Sequence, residues 1–285
     1  MVIQIVPKNI RSLQRKTIRV FLAGRDLVGG GTWLGIELPD DEEEEDNTND
    51  SNNENTSLRW IAITNFRERD EHGRPSRGGL LMDYLDDKVP SAKSFVSGLQ
   101  RRGHEFNGFN LLVGDKSGIY YHGNRMKDPQ SSNKPLSRGI YGLSNGLLDS
   151  PWPKVERGKE ILRSLCQKDI EQEQSTSLES FHEKLMDLLH DQTQLESDDQ
   201  LPTTYVDRAT ERYLSSMLGP KANFFGKEYG TRTSTTITVD TDGKVSVLER
   251  TWPLGKDRWF RFDSKAGSAD KLEGMLISHS RLCIL

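Results

Sequence analysis

The residue with the clearest chemical potential is Arg232, in the run Tyr229-Gly-Thr-Arg-Thr-Ser-Thr-Thr-Ile-Thr-Val-Asp240. Read at period two, Tyr229, Thr231, Thr233, Thr235, Ile237 and Val239 share one face, and Arg232, Ser234, Thr236 and Thr238 share the other. A guanidinium on a polar strand face either pairs with a carboxylate or binds an anion. Arg77, in Ser76-Arg-Gly-Gly79, opens a helix whose free N–H groups favour an anion, or it is a surface arginine at a helix start. Five segments are rich in Gly, Asn, Arg and aromatics: Gly29–Gly35, Ile63–Arg67, Gly103–Leu112, Tyr141–Gly146 and Tyr229–Thr233. Glycines beside polar residues at strand ends let backbone and side-chain donors converge. The same composition also makes tight turns in which Asn closes its own backbone. Six histidines without HExxH-like or paired spacing argue against a metal centre.

These residues need a frame. The β-branched run ending at Asp240 reads as a strand, Asp240–Gly243 as a turn and Lys244–Glu249 as the returning strand. Strands are expected at 18–23, 32–37, 59–65, 109–114, 117–122, 138–144, 231–240 and 243–250. Asp115–Gly118 closes a second hairpin. Helices are expected at Gly79–Asp86, Ser91–Arg102 and Val155–Asp169. Thr176 with Glu179 has the spacing of a capping box ahead of a further helix. Helices set between runs of paired strands give an α+β chain with mainly antiparallel sheets covered by helices.

Composition narrows the function classes. The chain has 285 residues and a formal net charge of −4, yet ten acids and no Lys or Arg lie between Glu37 and Ser57. The remainder therefore carries about +6 by the same count. That is mildly basic, without a basic stripe interleaved with aromatics, so no nucleic-acid partner is expected. Residues 40–57 are too polar to bury apolar area and read as a disordered acidic and Asn-rich insertion. Two distant cysteines, Cys166 and Cys283, give neither a disulfide framework nor zinc spacing and favour a reducing compartment. No apolar run has transmembrane length, and no secretory signal is visible. The acid-free start, with Lys8, Arg11, Arg15 and Arg19 spaced along one helical face, has the look of a mitochondrial presequence; Ile18–Leu22 reads equally as a core strand. The cytoplasm is the expected location, with the mitochondrion or a Golgi association as alternatives.

Taken together and in order, the five blocks, with Tyr141-Gly-Leu-Ser-Asn-Gly-Leu-Leu-Asp-Ser-Pro-Trp-Pro-Lys-Val155, resemble the transport and Golgi organisation protein 2 family, also called the NRDE family. The resemblance runs from about Leu22 to Phe262. It implies an αββα sandwich similar to that of N-terminal nucleophile hydrolases: two antiparallel sheets face to face, helices outside. In related cysteine amidases an N-terminal Cys attacks an amide, Asn side chains hold the oxyanion and an Arg orients the nucleophile. By position, Asn65 and Asn145 resemble those donors and Arg232 resembles that arginine.

The sequence departs from the family at its start. Relatives begin Met-Cys and carry Asn-Arg-Asp-Glu a little downstream; this chain begins Met1-Val2, and Ala23–Asp26 reads like a later family segment. Neither Cys166 nor Cys283 is placed to replace an N-terminal nucleophile, so no catalytic residue is expected. The division that follows is a basic segment at 1–17, an NRDE-family domain at 18–263 and a tail at 264–285.

The resemblance implies a part in Golgi organisation and protein secretion, and the handling of a hydrophobic acidic small molecule, haem or an acyl lipid such as acyl-CoA. No resident cofactor or metal is expected; haem enters as cargo. Arg232, Asn65, Asn145, Arg77 and His104 are the candidate ligand contacts, His104 as an axial haem ligand or else a structural histidine. The alternative is a cysteine amidohydrolase in a longer form that starts Met-Cys.

Overall fold

The computed structural model describes residues 3–8, 19–24, 26, 30–38, 58–85, 89–171, 177–224, 227–240, 243–263 and 282–284. The acidic insertion expected at 40–57 lies outside them.

The first sheet is an antiparallel meander of six strands in chain order: β1 (Ile3–Lys8), β2 (Arg19–Gly24), β3 (Leu34–Leu38), β4 (Trp60–Asn65), β5 (Phe109–Asp115) and β6 (Gly118–Gly123). Asp115 pairs with Gly118 at the tip of the β5–β6 hairpin. There Asp115 accepts from both the backbone N–H and the hydroxyl of Ser117, at 2.8 and 2.6 Å, so the turn expected from Asp115–Gly118 forms by aspartate closing its own loop.

The second sheet contains β9 (Thr233–Val239), β10 (Lys244–Thr251), β11 (Lys256–Asp263) and β12 (Leu282–Ile284), in the order β11-β10-β9-β12 and all antiparallel. A short hairpin of β7 (Ala222–Phe224) and β8 (Lys227–Tyr229) stands apart.

Alternation along these strands decides the layers. Leu22, Ile36 and Trp60 of the first sheet bury against Ile237, Val245, Val247 and Phe262 of the second, so the sheets pack face to face. The opposite face of the first sheet, with Phe21, Ile61, Leu111 and Val113, buries against two helices: α1 (Gly79–Tyr84) through Leu80, Leu81 and Tyr84, and α2 (Ala92–Arg102) through Phe95, Val96 and Leu99. The second sheet is covered by α4 (Leu178–Leu189), beside which α3 (Pro153–Glu171) packs. The chain is therefore α+β with the expected αββα layer order.

Several local expectations are corrected. Residues 3–8 form β1 rather than part of a basic helix; Lys8 and Arg19 are register partners of an antiparallel pair. Arg11 and Arg15 lie outside the described residues. Segment 138–144 is irregular backbone with bends, not a strand; Tyr141 is exposed, its hydroxyl donating to the Ser137 carbonyl at 2.8 Å. The cap of α4 is Ser177, whose side chain accepts from Ser180 N at 3.2 Å; Thr176 lies outside the described residues. Beyond Ser264, the stretch Leu282–Ile284 pairs with β9. A fifth helix, α5 (Arg208–Tyr213), was not expected; Asp207 caps it by accepting from Thr210 N at 2.9 Å.

Candidate functional site

At the end of β4 the chain leaves the first sheet through Asn65, Phe66 and Arg67. Phe66 N donates to the Gly108 carbonyl at 2.9 Å, and Arg67 N to the Asn145 carbonyl at 2.7 Å. The Asn145 amide nitrogen donates to the Asn65 carbonyl at 2.9 Å. The two candidate asparagines are thus brought together, with the Asn145 amide used to close the loop. Behind them Asn110, fully buried on β5, donates to the Gly146 carbonyl at 2.7 Å and accepts from the Tyr121 hydroxyl at 2.7 Å. That hydroxyl accepts from Leu148 N at 3.0 Å, and burial pushes its pKa up to about 12, so it stays a neutral donor. This network fixes the 142–148 loop against the sheet.

Arg67 turns inward. Its guanidinium pairs with Glu211 of α5, and both side chains are almost entirely buried. It lies over the Trp152 ring at 4.7 Å and reaches the Asn145 side-chain oxygen at 3.5 Å. The other carboxylate oxygen of Glu211 accepts from the Thr204 hydroxyl. Burial lowers the Arg67 pKa, and the charge and hydrogen bond of Glu211 work against that shift. Nearby, Lys154 donates to the Leu214 carbonyl at 2.7 Å. Burial, then repulsion from Arg67, pushes its pKa down to about 8.

The remaining candidates separate. Arg77 forms a bidentate pair with Asp70 at 3.1 and 2.9 Å and also donates to the Gly108 carbonyl at 3.0 Å. Its guanidinium is engaged by the chain's own carboxylate rather than held open for an anion. His104 is exposed on a 3-10 turn, its carbonyl accepting from Arg74 at 3.3 Å. It stands outside the groove that holds Arg232.

Arg232 enters just before β9 and is exposed. Its carbonyl accepts from Trp252 N at 2.7 Å, which ties the strand to the loop after β10. Its guanidinium has no carboxylate partner among the described residues. It lines a groove of about 580 Å³ with His190, Leu218, Pro220, Tyr229 and Trp252. The His190 and Trp252 rings lie 4.4 Å apart, tilted by 32°, and Trp252 is anchored by its indole N–H to Ser234 at 3.0 Å. Tyr229, 57% exposed, meets Tyr213 edge-on at 6.2 Å. Tyr229 is also close enough to Arg67 to act on its charge. The groove and the buried ion pair therefore share one end of the molecule.

The strand face assigned to Arg232 has a different fate further along. Thr236 and Thr238 are buried under α4, at 2.6 and 3.0 Å from the two ring nitrogens of His182. Hydroxyls there satisfy a core histidine rather than a ligand. The partners of Arg67 escaped sequence reading: Glu211 sits on a helix of only six residues, and nothing local connects it to the Ile63–Arg67 block. Among the described residues no helix is long and apolar enough to cross a membrane, and no His, Cys, Asp and Glu side chains group as metal ligands.

Comparison with known proteins follows the same residues. The family described as Transport and Golgi organisation 2 matches residues 11–253. The mouse (Mus musculus) Transport and Golgi organization 2 homolog is 31% identical over 251 residues, covering 84% of this chain and 79% of its own. The human (Homo sapiens) Transport and Golgi organization protein 2 homolog is 33% identical over 231 residues, covering 78% of this chain and 72% of its own. The bovine (Bos taurus) homolog is 32% identical over 241 residues, 81% of this chain and 75% of its own.

Proposed function

The chain belongs to the transport and Golgi organisation 2 family, and within it we propose a binding protein that carries a hydrophobic acidic small molecule, haem or an acyl lipid, in the groove around Arg232. The family's name supports a part in transport and Golgi organisation; carriage of such a cargo is the physical role we assign.

The carrying observation is that the Arg232 guanidinium faces a half-open groove with no carboxylate partner among the described residues. Apolar walls from Leu218, Pro220, Tyr229 and Trp252 suit a flat or acyl body, and a groove of about 580 Å³ falls within the usual size of small-molecule sites. An exposed guanidinium at the rim supplies two parallel donors for a carboxylate or phosphate. The Lys221–Glu228 pair at 2.6 Å, both residues lining the groove, adds a polar edge. We place the protein in the cytoplasm; imaging of the tagged chain in mitochondria or on the Golgi would redirect that assignment.

An amidohydrolase reading has less support. It asks the Asn145 amide to meet an oxyanion, and one N–H of that amide already donates to the Asn65 carbonyl.

The test is titration of the purified chain with haem and, separately, with a long-chain acyl-CoA. Arg232→Ala is expected to weaken binding at least tenfold. Unchanged affinity in that variant removes Arg232 as the anchor.

A further inference from the structure

The turn between β10 and β11, Trp252-Pro-Leu-Gly255, holds an apolar side chain out in water. Leu254 is 70% exposed, the most of any large hydrophobic residue among those described, and Tyr229 at 57% comes next. One exposed leucine needs no explanation; two such residues at one rim, in a fixed setting, ask for one. Trp252 and the exposed Pro253 line the same groove as Tyr229. The turn is thus one wall of the groove's mouth, and Leu254 is the next residue along that wall.

The turn is also stiff. Its ladder closes with Thr251 opposite Lys256. Trp252 N donates to the Arg232 carbonyl at 2.7 Å, and the Trp252 indole N–H to the Ser234 hydroxyl at 3.0 Å. Gly255 takes the left-handed backbone that the turn requires, at φ +59°. Leu254 is therefore presented ready-made, with little left to order when something covers it. The charge around it is of one sign. Glu228 and Asp257, the acids beside the rim, are held in the chain's own pairs, with Lys221 at 2.6 Å and with Arg250 at 2.6 Å; Arg250 also meets Glu183. The exposed cations Arg232 and Lys256 have no carboxylate partner among the described residues. Arg258, two residues on from Lys256, is exposed as well, with its charge acting on buried Glu249.

We propose that this turn is a membrane-docking tip: Leu254, with Tyr229 at the same groove mouth, enters the headgroup layer of an anionic phospholipid bilayer, while Lys256 and Arg232 meet lipid phosphates. Apolar and aromatic side chains set among cations match that interface, where buried apolar area and attraction to anionic lipid act together. A soluble acidic partner would use the cations and leave the leucine in water. Docking is peripheral, since among the described residues no helix is long and apolar enough to cross a membrane. It turns the groove's mouth toward the lipid surface but needs no cargo in the groove, so it stands or falls apart from the cargo-binding reading.

The test is flotation of the full chain, free of cargo, with vesicles of phosphatidylcholine alone and with vesicles of phosphatidylcholine and phosphatidylserine in equal parts. The anionic vesicles are expected to bind about tenfold more tightly or better. Leu254→Asp is expected to weaken that binding by about tenfold or more, and Lys256→Ala by about fivefold. Both side chains are exposed and neither lines the groove, so the variants are expected to keep the parent's far-UV circular dichroism. Met82→Asp, at an exposed apolar residue of α1 beyond the first sheet, is expected to leave vesicle binding unchanged. Equal binding to both vesicles, binding to neither, affinity that survives Leu254→Asp, or an equal loss in Met82→Asp would overturn the docking tip. So would a dimer in lipid-free sedimentation that Leu254→Asp dissolves, because a second copy of the chain would then be what covers the leucine.

Discussion

Arg67 and Glu211 stand 144 residues apart in sequence and form an ion pair with both side chains buried. The pair joins the loop that leaves β4 to helix α5, and the Trp152 ring covers the guanidinium. Desolvation of two charges offsets much of their attraction, so such a pair adds little net stability over an apolar pair. Its value is positional: removing one partner strands the other.

Glu211→Ala is expected to lose about 3–5 kcal/mol in urea denaturation, because Arg67 is left buried and unpaired. The double variant Arg67→Met with Glu211→Leu is expected to recover most of that loss. A loss under about 1 kcal/mol in Glu211→Ala would mean that Arg67 finds solvent or another partner.

How much of this was legible follows from the range of the interactions. The β5–β6 and β9–β10 hairpins were readable, since alternation and turn chemistry lie within a few residues of each other. β11 was not: Lys256–Asp263 opens with three consecutive charges and sets Trp259 beside Phe260, so charges fall on both faces of this edge strand and hide the period. Segment 138–144 misled because Ile140 and Tyr141 suggest a strand, while Gly142 bonds through both its N–H and its carbonyl to Asp149 instead of to a neighbouring strand. Of the candidate site, Asn65 and Asn145 come from separate blocks, and the Asn145 amide meets the Asn65 carbonyl at 2.9 Å. Arg77 could not be judged without Asp70, seven residues earlier, folding back to it. The Arg67–Glu211 pair leaves no periodic trace, because only tertiary structure brings those segments together.

The glycine-rich block offers a second test. An added Cβ at Gly31 would sit 2.6 Å from the Gly78 carbonyl carbon, backbone against backbone, where nothing can yield. Gly31→Ala is expected to cost about 1–3 kcal/mol, the range of overpacking. Gly79, at the start of α1, has nothing within 4 Å of its ideal Cβ. Gly79→Ala is expected to be neutral or stabilising by up to about 1 kcal/mol through helix propensity. Thermal denaturation of the two variants side by side checks the contrast; equal midpoints would refute the close approach.

His122, buried on β6 where α2 packs, contacts Ser132 at 3.0 Å, and burial lowers its pKa to about 4 from an ordinary 6.5. The folded state keeps the ring neutral. Below pH 6.5 the unfolded chain takes up a proton that the folded chain refuses, so stability falls until the folded pKa is reached. The full loss attributable to this one ring is about 3 kcal/mol. His122→Gln is expected to lower stability at pH 7 by lost packing and to flatten the slope between pH 6.5 and 4. An unchanged slope in that variant would assign the acid sensitivity to other groups.

Glu249 has the opposite dependence. Burial raises its pKa above the ordinary 4.5, against the opposing charges of Arg258 and the chain's α-amino group. Below pH 4.5 both states hold the proton and ionisation costs nothing. Between 4.5 and the raised folded value, the unfolded chain releases a proton that the folded chain retains, so stability falls as pH rises. Glu249→Gln removes that loss while keeping the side-chain volume. The variant is expected to melt above the parent at pH 7, with the gap closing toward pH 4. If Glu249→Gln instead melts well below the parent at pH 7, the carboxylate is ionised and satisfied within the folded chain.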